Sequence, residues 1–375
     1  MKNPSKLVFH AILALGAVAA GCEQKKTPPQ AEPASSSSAA ATAATSAAPE
    51  AEAKIDRSLL VQFGKLPSTY LSPAAAAAPA TKEQIELGRM LFWEKRLSKN
   101  QDRSCNTCHN LETFGVDNEK TSEGHKKQRG SRNSPTVYNA AGHFVQFWDG
   151  RAKDVEEQAK GPILNPVEMA MKDDAAVVKV LQSIPQYAET FKKAFPGDKP
   201  VSYDNLAKAI GAFERTLVTP SRFDKYVAGD ESALSAAEKK GLAKFLDLNC
   251  PSCHTGALLG GNEFKKLGQA KPWEDMKDLG RFEVTKAEAD KQMFKTPSLR
   301  NVAKTAPYFH DGSVATLESA VKLMAKHQLG KTVSDDEAKS VATFLGSLTG
   351  EPTAEMTRKP DLPPNGPTTP KPDPN

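Results

Sequence analysis

The sequence predicts an all-α protein of two related helical domains, with a disordered amino-terminal tether and a loose carboxy-terminal tail. Two observations carry this. Apolar residues recur at helical spacing behind recognisable start signals, and no stretch alternates well enough to be a strand. In addition, residues 134–150 (SPTVYNAAGHFVQFWDG) and 296–312 (TPSLRNVAKTAPYFHDG) are copies at a constant offset of 162: Pro135 matches Pro297, Asn139 Asn301, Phe147 Phe309, and Asp149-Gly150 Asp311-Gly312. Such a repeat points to one ancestral unit used twice, and places where the copies differ are where roles divide. The sharpest difference is Trp148 against His310.

In chain order, residues 1–21 place Lys2 and Lys6 before the apolar run LVFHAILALGAVAA and end on Gly21, the order of an export signal. The run has roughly 14 residues against the about 20 needed to span a bilayer, so the protein is expected in the periplasm. AAGC resembles the lipobox of bacterial lipoproteins, with Ala19 where leucine is usual, which makes Cys22 the candidate for lipidation and the only expected membrane contact. Residues 22–80 are mostly Ala, Ser, Pro and Thr, too poor in large apolar groups to offset their ordering entropy, and read as a tether.

The first domain, 81–222, opens with TKEQIELGRMLF, where Thr81 and Gln84 form a capping box and Leu87, Met90 and Leu91 share a face. Its last helix, YDNLAKAIGAFERTL, carries the stripe Leu206, Ile210, Phe213 and Leu217. The second domain, 223–350, repeats the capping box twice, with Ser235 and Glu238 before Leu242, Phe245 and Leu246, and with Ser334 and Glu337 before Val341, Phe344, Leu345 and Leu348. Residues 351–375, proline-bearing throughout, read as a loose tail. The formal charge of +5 falls to +3 once Lys2 and Lys6 leave with the leader, which supports no nucleic-acid partner.

Five cysteines define the chemistry: Cys22, then Cys105 and Cys108 in CNTCH, and Cys250 and Cys253 in CPSCH. C-x-x-C pairs in an exported chain suit disulfides, zinc or dithiol redox chemistry. Here both pairs run directly into a histidine, His109 and His254, and C-x-x-C-H is the attachment sequence of c-type haem, two thiols for the vinyl groups and one imidazole for the iron. Two copies predict two covalently bound haems in two cytochrome c-like domains. Each iron keeps a second axial site, open for ligand chemistry or closed for electron transfer. Met324, on the helical segment TLESAVKLMAKH with Leu317 and Val321, and Met293 compete for the second haem. His125 sits in TSEGHKKQRGSRN, which by composition is a solvated loop; His143 and His310 read as hydrogen-bonded structural residues and His327 as a surface one.

From about residue 82 to 350 the chain resembles the bacterial di-haem cytochrome c peroxidases, in the wider group with MauG-type enzymes. The likeness rests on LFWEKRLSKNQDRSCNTCHN, GHKKQRGSRNSPTVYNA, QFWDGRAKDVEEQAKGPILNPVEM, FERTLVTPSRFDKYVAGD, CPSCHTG and FKTPSLRNVAKTAPYFHDGSVATLESAV, in the family's order, with Trp93 departing from the usual LFFDPRLS.

The resemblance implies reduction of hydrogen peroxide to water. Electrons from a small cytochrome c or cupredoxin would enter at the carboxy-terminal haem and pass to the amino-terminal one. It further implies His109 as the proximal and His125 as the removable distal ligand of the peroxidatic haem, and Glu168 as the distal acid-base carboxylate with Gln158 beside it. Trp148 would lie between the haems, with His254 and Met324 as axial ligands of the electron-entry haem. Calcium would be bound by Asn133 and the carbonyls of Thr305 and Pro307, and the protein would be a homodimer. MauG-type oxidases, which modify a protein side chain, have tyrosine in place of the methionine and no switching histidine. A plain di-haem electron carrier or sensor is the third reading.

Overall fold

The computed structural model describes residues 53–71, 79–274 and 276–375. The leader and Cys22 lie outside the described residues. Helices dominate, and the long ones start where a side chain can satisfy the free amides of a first turn, except the one that begins on Pro185, whose first residue has no amide hydrogen to satisfy. In the first half these are α1 (Lys82–Trp93), α2 (Val155–Leu164), α3 (Asp174–Gln182), α4 (Pro185–Ala194) and α5 (Tyr203–Glu214). In the second they are α6 (Arg222–Val227), α7 (Ala236–Asp247), α8 (Leu317–Leu329) and α9 (Asp335–Gly346). The three capping boxes read from the sequence form as expected, Thr81 with Gln84, Ser235 with Glu238 and Ser334 with Glu337.

The chain builds two hydrophobic cores. One collects the buried faces of α1 to α5, with Leu87, Leu91, Phe92, Leu206, Ile210, Phe213 and Leu217 all fully buried. The other joins α6 to α9 through Phe223, Leu242, Phe245, Val341, Phe344 and Leu348. Residues 50–375 nevertheless form one compact unit. Each core is organised around one close helix crossing, α1 on α5 and α7 on α9, and each crossing has a glycine at its tightest point. A Cβ on Gly88 would lie 1.8 Å from the Ala209 carbonyl oxygen, and one on Gly241 2.0 Å from that of Ser340.

The internal repeat reappears as repeated geometry. Asn139 and Asn301 both take left-handed backbone conformations ahead of a short 3₁₀ turn, and Phe147 and Phe309 both have positive φ, 66° and 69°. Bridges Gln146–Ala152 and Tyr308–Val314 close the two copies in the same way.

Three segments depart from the expectations. An antiparallel ribbon pairs β1 (Phe264–Lys266) with β2 (Met293–Lys295) in register Phe264 to Lys295; strands of three residues are too short to show alternation. Residues 57–63, assigned to the tether, form a 3₁₀ helix capped by Asp56 that buries Leu60 and Phe63 in the second core, with Phe63 edge-on to Phe223 at 5.4 Å. The tail is not loose. Arg89 holds Glu355 at 2.6 Å, Arg96 donates to Asn365 and to the Pro363 carbonyl, and Asp373 N–H donates to the Lys99 carbonyl, so residues 355–373 are bound to the first half.

Candidate active site

Two cavities of similar size lie on the two halves. The first is lined by Cys105, Cys108 and His109 together with Gln158, Glu168 and Trp148. The second is lined by Cys250, Cys253 and His254 together with Met324. Local structure explains these placements. Cys105–Cys108 is a single helical turn capped by Ser104, and the turn at Cys250–Ser252 is entered through Asn249 in the left-handed region, so both thiols of each pair stand on one short turn with the histidine directly after it. All four cysteines are free thiols. Burial pushes Cys108 up to about 11 and raises Cys105 and Cys250 as well, which favours their protonated thiols.

His109 and His254 are held below their usual pKa by burial, which favours the neutral imidazole that ligates a metal. Each faces the carbonyl of the proline that opens its copy of the repeat, Pro135 for His109 and Pro297 for His254, and His254 Nδ1 lies 3.1 Å from the Leu259 carbonyl. A carbonyl on one ring nitrogen fixes the tautomer and leaves the other for a metal. Two thiols, a neutral imidazole and a large cavity on each half fit a c-type haem.

Glu168 lies in the loop after α2, whose end is built by Asn165. Asn165 Nδ2 donates to Glu168 Oε1 at 2.8 Å, fixing the carboxyl at the cavity wall. Burial raises the Glu168 pKa, partly opposed by Arg151 and by that hydrogen bond. Such a group exchanges a proton nearer neutrality than an exposed glutamate does.

Trp148 lines both cavities, donates Nε1–H to the Asn133 carbonyl at 2.9 Å and meets His310 edge-on at 6.4 Å. The two residues at which the repeat copies diverge most therefore touch. On the second half, Met324 follows Leu317 and Val321 on α8, and all three line the cavity, while Met293 lies on β2.

His125 is placed differently. It is buried, only 6% exposed, in a 3₁₀ turn closed by the Glu123–Arg129 bridge, so the segment is not the solvated loop its composition suggests. Its N–H donates to the Glu168 carbonyl at 2.8 Å. Among the described residues lining the first cavity, Gly124 is present and His125 is not. Gly124 is needed for the close approach, since a Cβ there would lie 2.0 Å from the Val167 carbonyl oxygen. His327 is also buried, with Nδ1 3.1 Å from the Lys271 carbonyl and its ring against Trp273, because α8 turns that face inward.

Asn133 donates from Nδ2 to the Glu119 and Lys120 carbonyls, at 3.0 and 3.4 Å, which leaves its Oδ1 as the atom a cation would use. Among the described residues no group of three or more His, Cys, Asp or Glu is arranged to hold a metal ion, and a calcium ion at Asn133 would rely on amide and backbone oxygens.

Sequence reading missed Glu214, Arg151 and Lys295. Glu214, the last residue of α5, lines the first cavity and is pushed up to about 8 by burial and by Glu156. Lys295 had one signal: extending the repeat by a single residue sets it against Asn133.

Residues 82–232 match the family model of the di-haem cytochrome c peroxidases. The chain is 50% identical over 301 residues to the cytochrome c551 peroxidase of Pseudomonas aeruginosa, covering 78% of this chain and 86% of that protein. It is 47% identical over 304 residues to the cytochrome c551 peroxidase of Nitrosomonas europaea, covering 80% and 90%. A solved MauG-like protein associated with microbial copper homeostasis superposes with a TM-score of 0.69 at 28% identity, over 79% of this chain and 98% of that one. With this similarity spanning both cavities, the chain belongs to the di-haem cytochrome c peroxidase family.

Proposed function

We propose that the protein reduces hydrogen peroxide to two waters, consuming two protons and two electrons, the electrons coming from a small cytochrome c or cupredoxin. The observation that carries this is the half-buried Glu168 carboxyl, fixed by Asn165 in the same cavity as the Cys105-Cys108-His109 turn. A c-type haem held by that turn would supply the iron chemistry that reduces peroxide. Glu168 takes a proton from one peroxide oxygen and returns it to the other, and Gln158, on the same wall, is suited to orient the substrate. Trp148, shared by both cavities, stands on the path between the electron-entry half and the peroxidatic half.

Met324 and His254, which both line the second cavity, would hold the iron of the entry haem; a thioether ligand favours the reduced metal, as an electron-accepting site requires. That methionine is also what separates this chain from the protein-modifying MauG type. His125, buried next to cavity-lining Gly124, would be the removable ligand of the first haem. Covalent attachment through the four thiols, calcium at Asn133 with the Thr305 and Pro307 carbonyls, a homodimer, and a periplasmic location with lipidation at Cys22 complete the reading.

The test is peroxide turnover by the oxidised and the half-reduced protein, with and without His125→Ala. Turnover that needs prior reduction in the parent and not in the variant supports the gate. Identical behaviour of the two rejects it, and absence of turnover in every state leaves a di-haem electron carrier.

A further inference from the structure

Between the two cavities lies a buried cation without an acid. Lys295, at the end of β2, is 4% exposed and lines both cavities. Its N–H donates to the Trp148 carbonyl at 2.8 Å, which places it beside the residue the cavities share. Its ammonium has one recorded partner, Nδ1 of His143 at 2.7 Å, and nothing but desolvation acts on its titration, lowering it to about 7. An ammonium is a donor only, so His143 Nδ1 accepts and the imidazole proton resides on Nε2. That Nε2 is sealed from solvent and has no hydrogen-bond partner, and neither has the hydroxyl of neighbouring Thr296. His143 lines the first cavity and Thr296 the second.

Among the described residues, His143 Nε2 and the remaining hydrogens of the Lys295 ammonium thus lack an acceptor where the two cavities meet. Leaving a buried donor unpaired costs about 1–3 kcal/mol, and more for a charged group, so a folded protein keeps such a set only if something else supplies the acceptor. The only carboxylates a haem brings are its two propionates, and these are anionic acceptors with two oxygens each.

We propose that Lys295 and His143 form a cradle for a haem propionate at the meeting of the two cavities. A carboxylate there restores the full charge of Lys295 and satisfies His143 Nε2. Because the cation lies close to the haem edge, it favours the reduced iron, and its loss favours the oxidised one. The cradle therefore sets the potential of the haem whose propionate it holds. This rests on the reading that two haems fill the cavities.

The experiment is a spectroelectrochemical titration of both haems in the holoprotein and in Lys295→Met and Lys295→Arg, after counting haems per chain. In Lys295→Met the ferric-to-ferrous ratio of one haem at fixed potential rises about tenfold, a midpoint lowered by about 59 mV, while Lys295→Arg stays with the parent. A shift confined to the Met324 haem assigns the propionate to the second cavity, and one confined to the other haem assigns it to the first. Unmoved midpoints in Lys295→Met, or equal shifts in the Met and Arg variants, overturn the cradle while the di-haem reading stands; a parent without two haems overturns both. If Lys295→Met fails to fold, His143→Leu is expected to lower the same midpoint and His143→Gln to spare it, and equal behaviour of that pair rejects the proposal.

Discussion

Glu168 shows how much one position carries. Its carboxyl is useful only because the chain has removed it from water: burial raises its pKa, while Arg151 and the Asn165 amide keep the ionised form within reach. In the proposed reaction the carboxylate is the form that takes the first proton from peroxide. Because the folded pKa lies above that of a free glutamate, the active fraction is full well above the raised value and is lost as pH falls through it, earlier than for an exposed acid. Peroxide kcat/KM is therefore expected to fall on the acid side with a single ionisation, and Glu168→Gln to lower the plateau by roughly 10²- to 10⁴-fold and abolish that limb. A pH profile of the variant that retains the limb assigns the ionisation elsewhere. His125 N–H is tied to the Glu168 carbonyl, so the proposed acid-base residue and the proposed removable ligand share one hydrogen bond.

At the scale of elements, the helix crossings are the most demanding features. Gly88 and Gly241 let α1 and α7 approach their partners until backbone meets backbone. Gly88→Ala forces α1 away from α5 and is expected to destabilise the holoprotein by about 1–3 kcal/mol, in spite of the gain in helix propensity, read as a lower denaturation midpoint. An unchanged midpoint would mean that the crossing is loose. The elements also show why some of the fold was legible beforehand and some was not. Capping boxes and apolar stripes are local, so Thr81 with Gln84, or Leu206 through Leu217, could be read directly. The C-x-x-C-H turns were legible for the same reason, and the repeat because it is written twice. The docked tail was not: its hold on Arg89, Arg96 and Lys99 uses carbonyls and single side chains and leaves no apolar period. Leu60 and Phe63 did carry a signal, an apolar pair at helical spacing, hidden by the low-complexity residues on either side. The burial of His125 depends on Glu168, 43 positions away, and no local pattern encodes such a partner.

At the scale of the molecule, the two halves are joined through a knot that the repeat itself builds. Asn139 N–H donates to the Leu217 carbonyl and its Oδ1 accepts from Thr219 N–H; Asn301 N–H donates to the Leu348 carbonyl and its Oδ1 accepts from Gly350 N–H. Each asparagine thus fastens the end of its own half. Both Nδ2 groups then donate to one atom, Thr219 Oγ1, at 2.8 and 2.9 Å, with Thr219 fully buried. Gly350 permits the contact, since a Cβ there would lie 2.3 Å from the Thr219 carbonyl oxygen. Around the knot, Arg132 bridges Asp149 and Asp278, and Asn133 N–H donates to the His310 carbonyl, so the surface that carries Trp148 is clamped from both sides. Electron passage between two cavities requires a fixed separation, and a shared buried hydroxyl is a stiff way to fix it. Thr219→Val keeps the volume but strands two buried amides, each at about 1–3 kcal/mol, for a loss of roughly 2–5 kcal/mol. Calorimetry of the holoprotein is expected to show one cooperative transition in the parent and in Thr219→Ser, which keeps the hydroxyl, and two separated transitions in Thr219→Val. If the valine variant still unfolds as one unit at the parent temperature, the halves are coupled by the surrounding ion pairs and the knot is incidental.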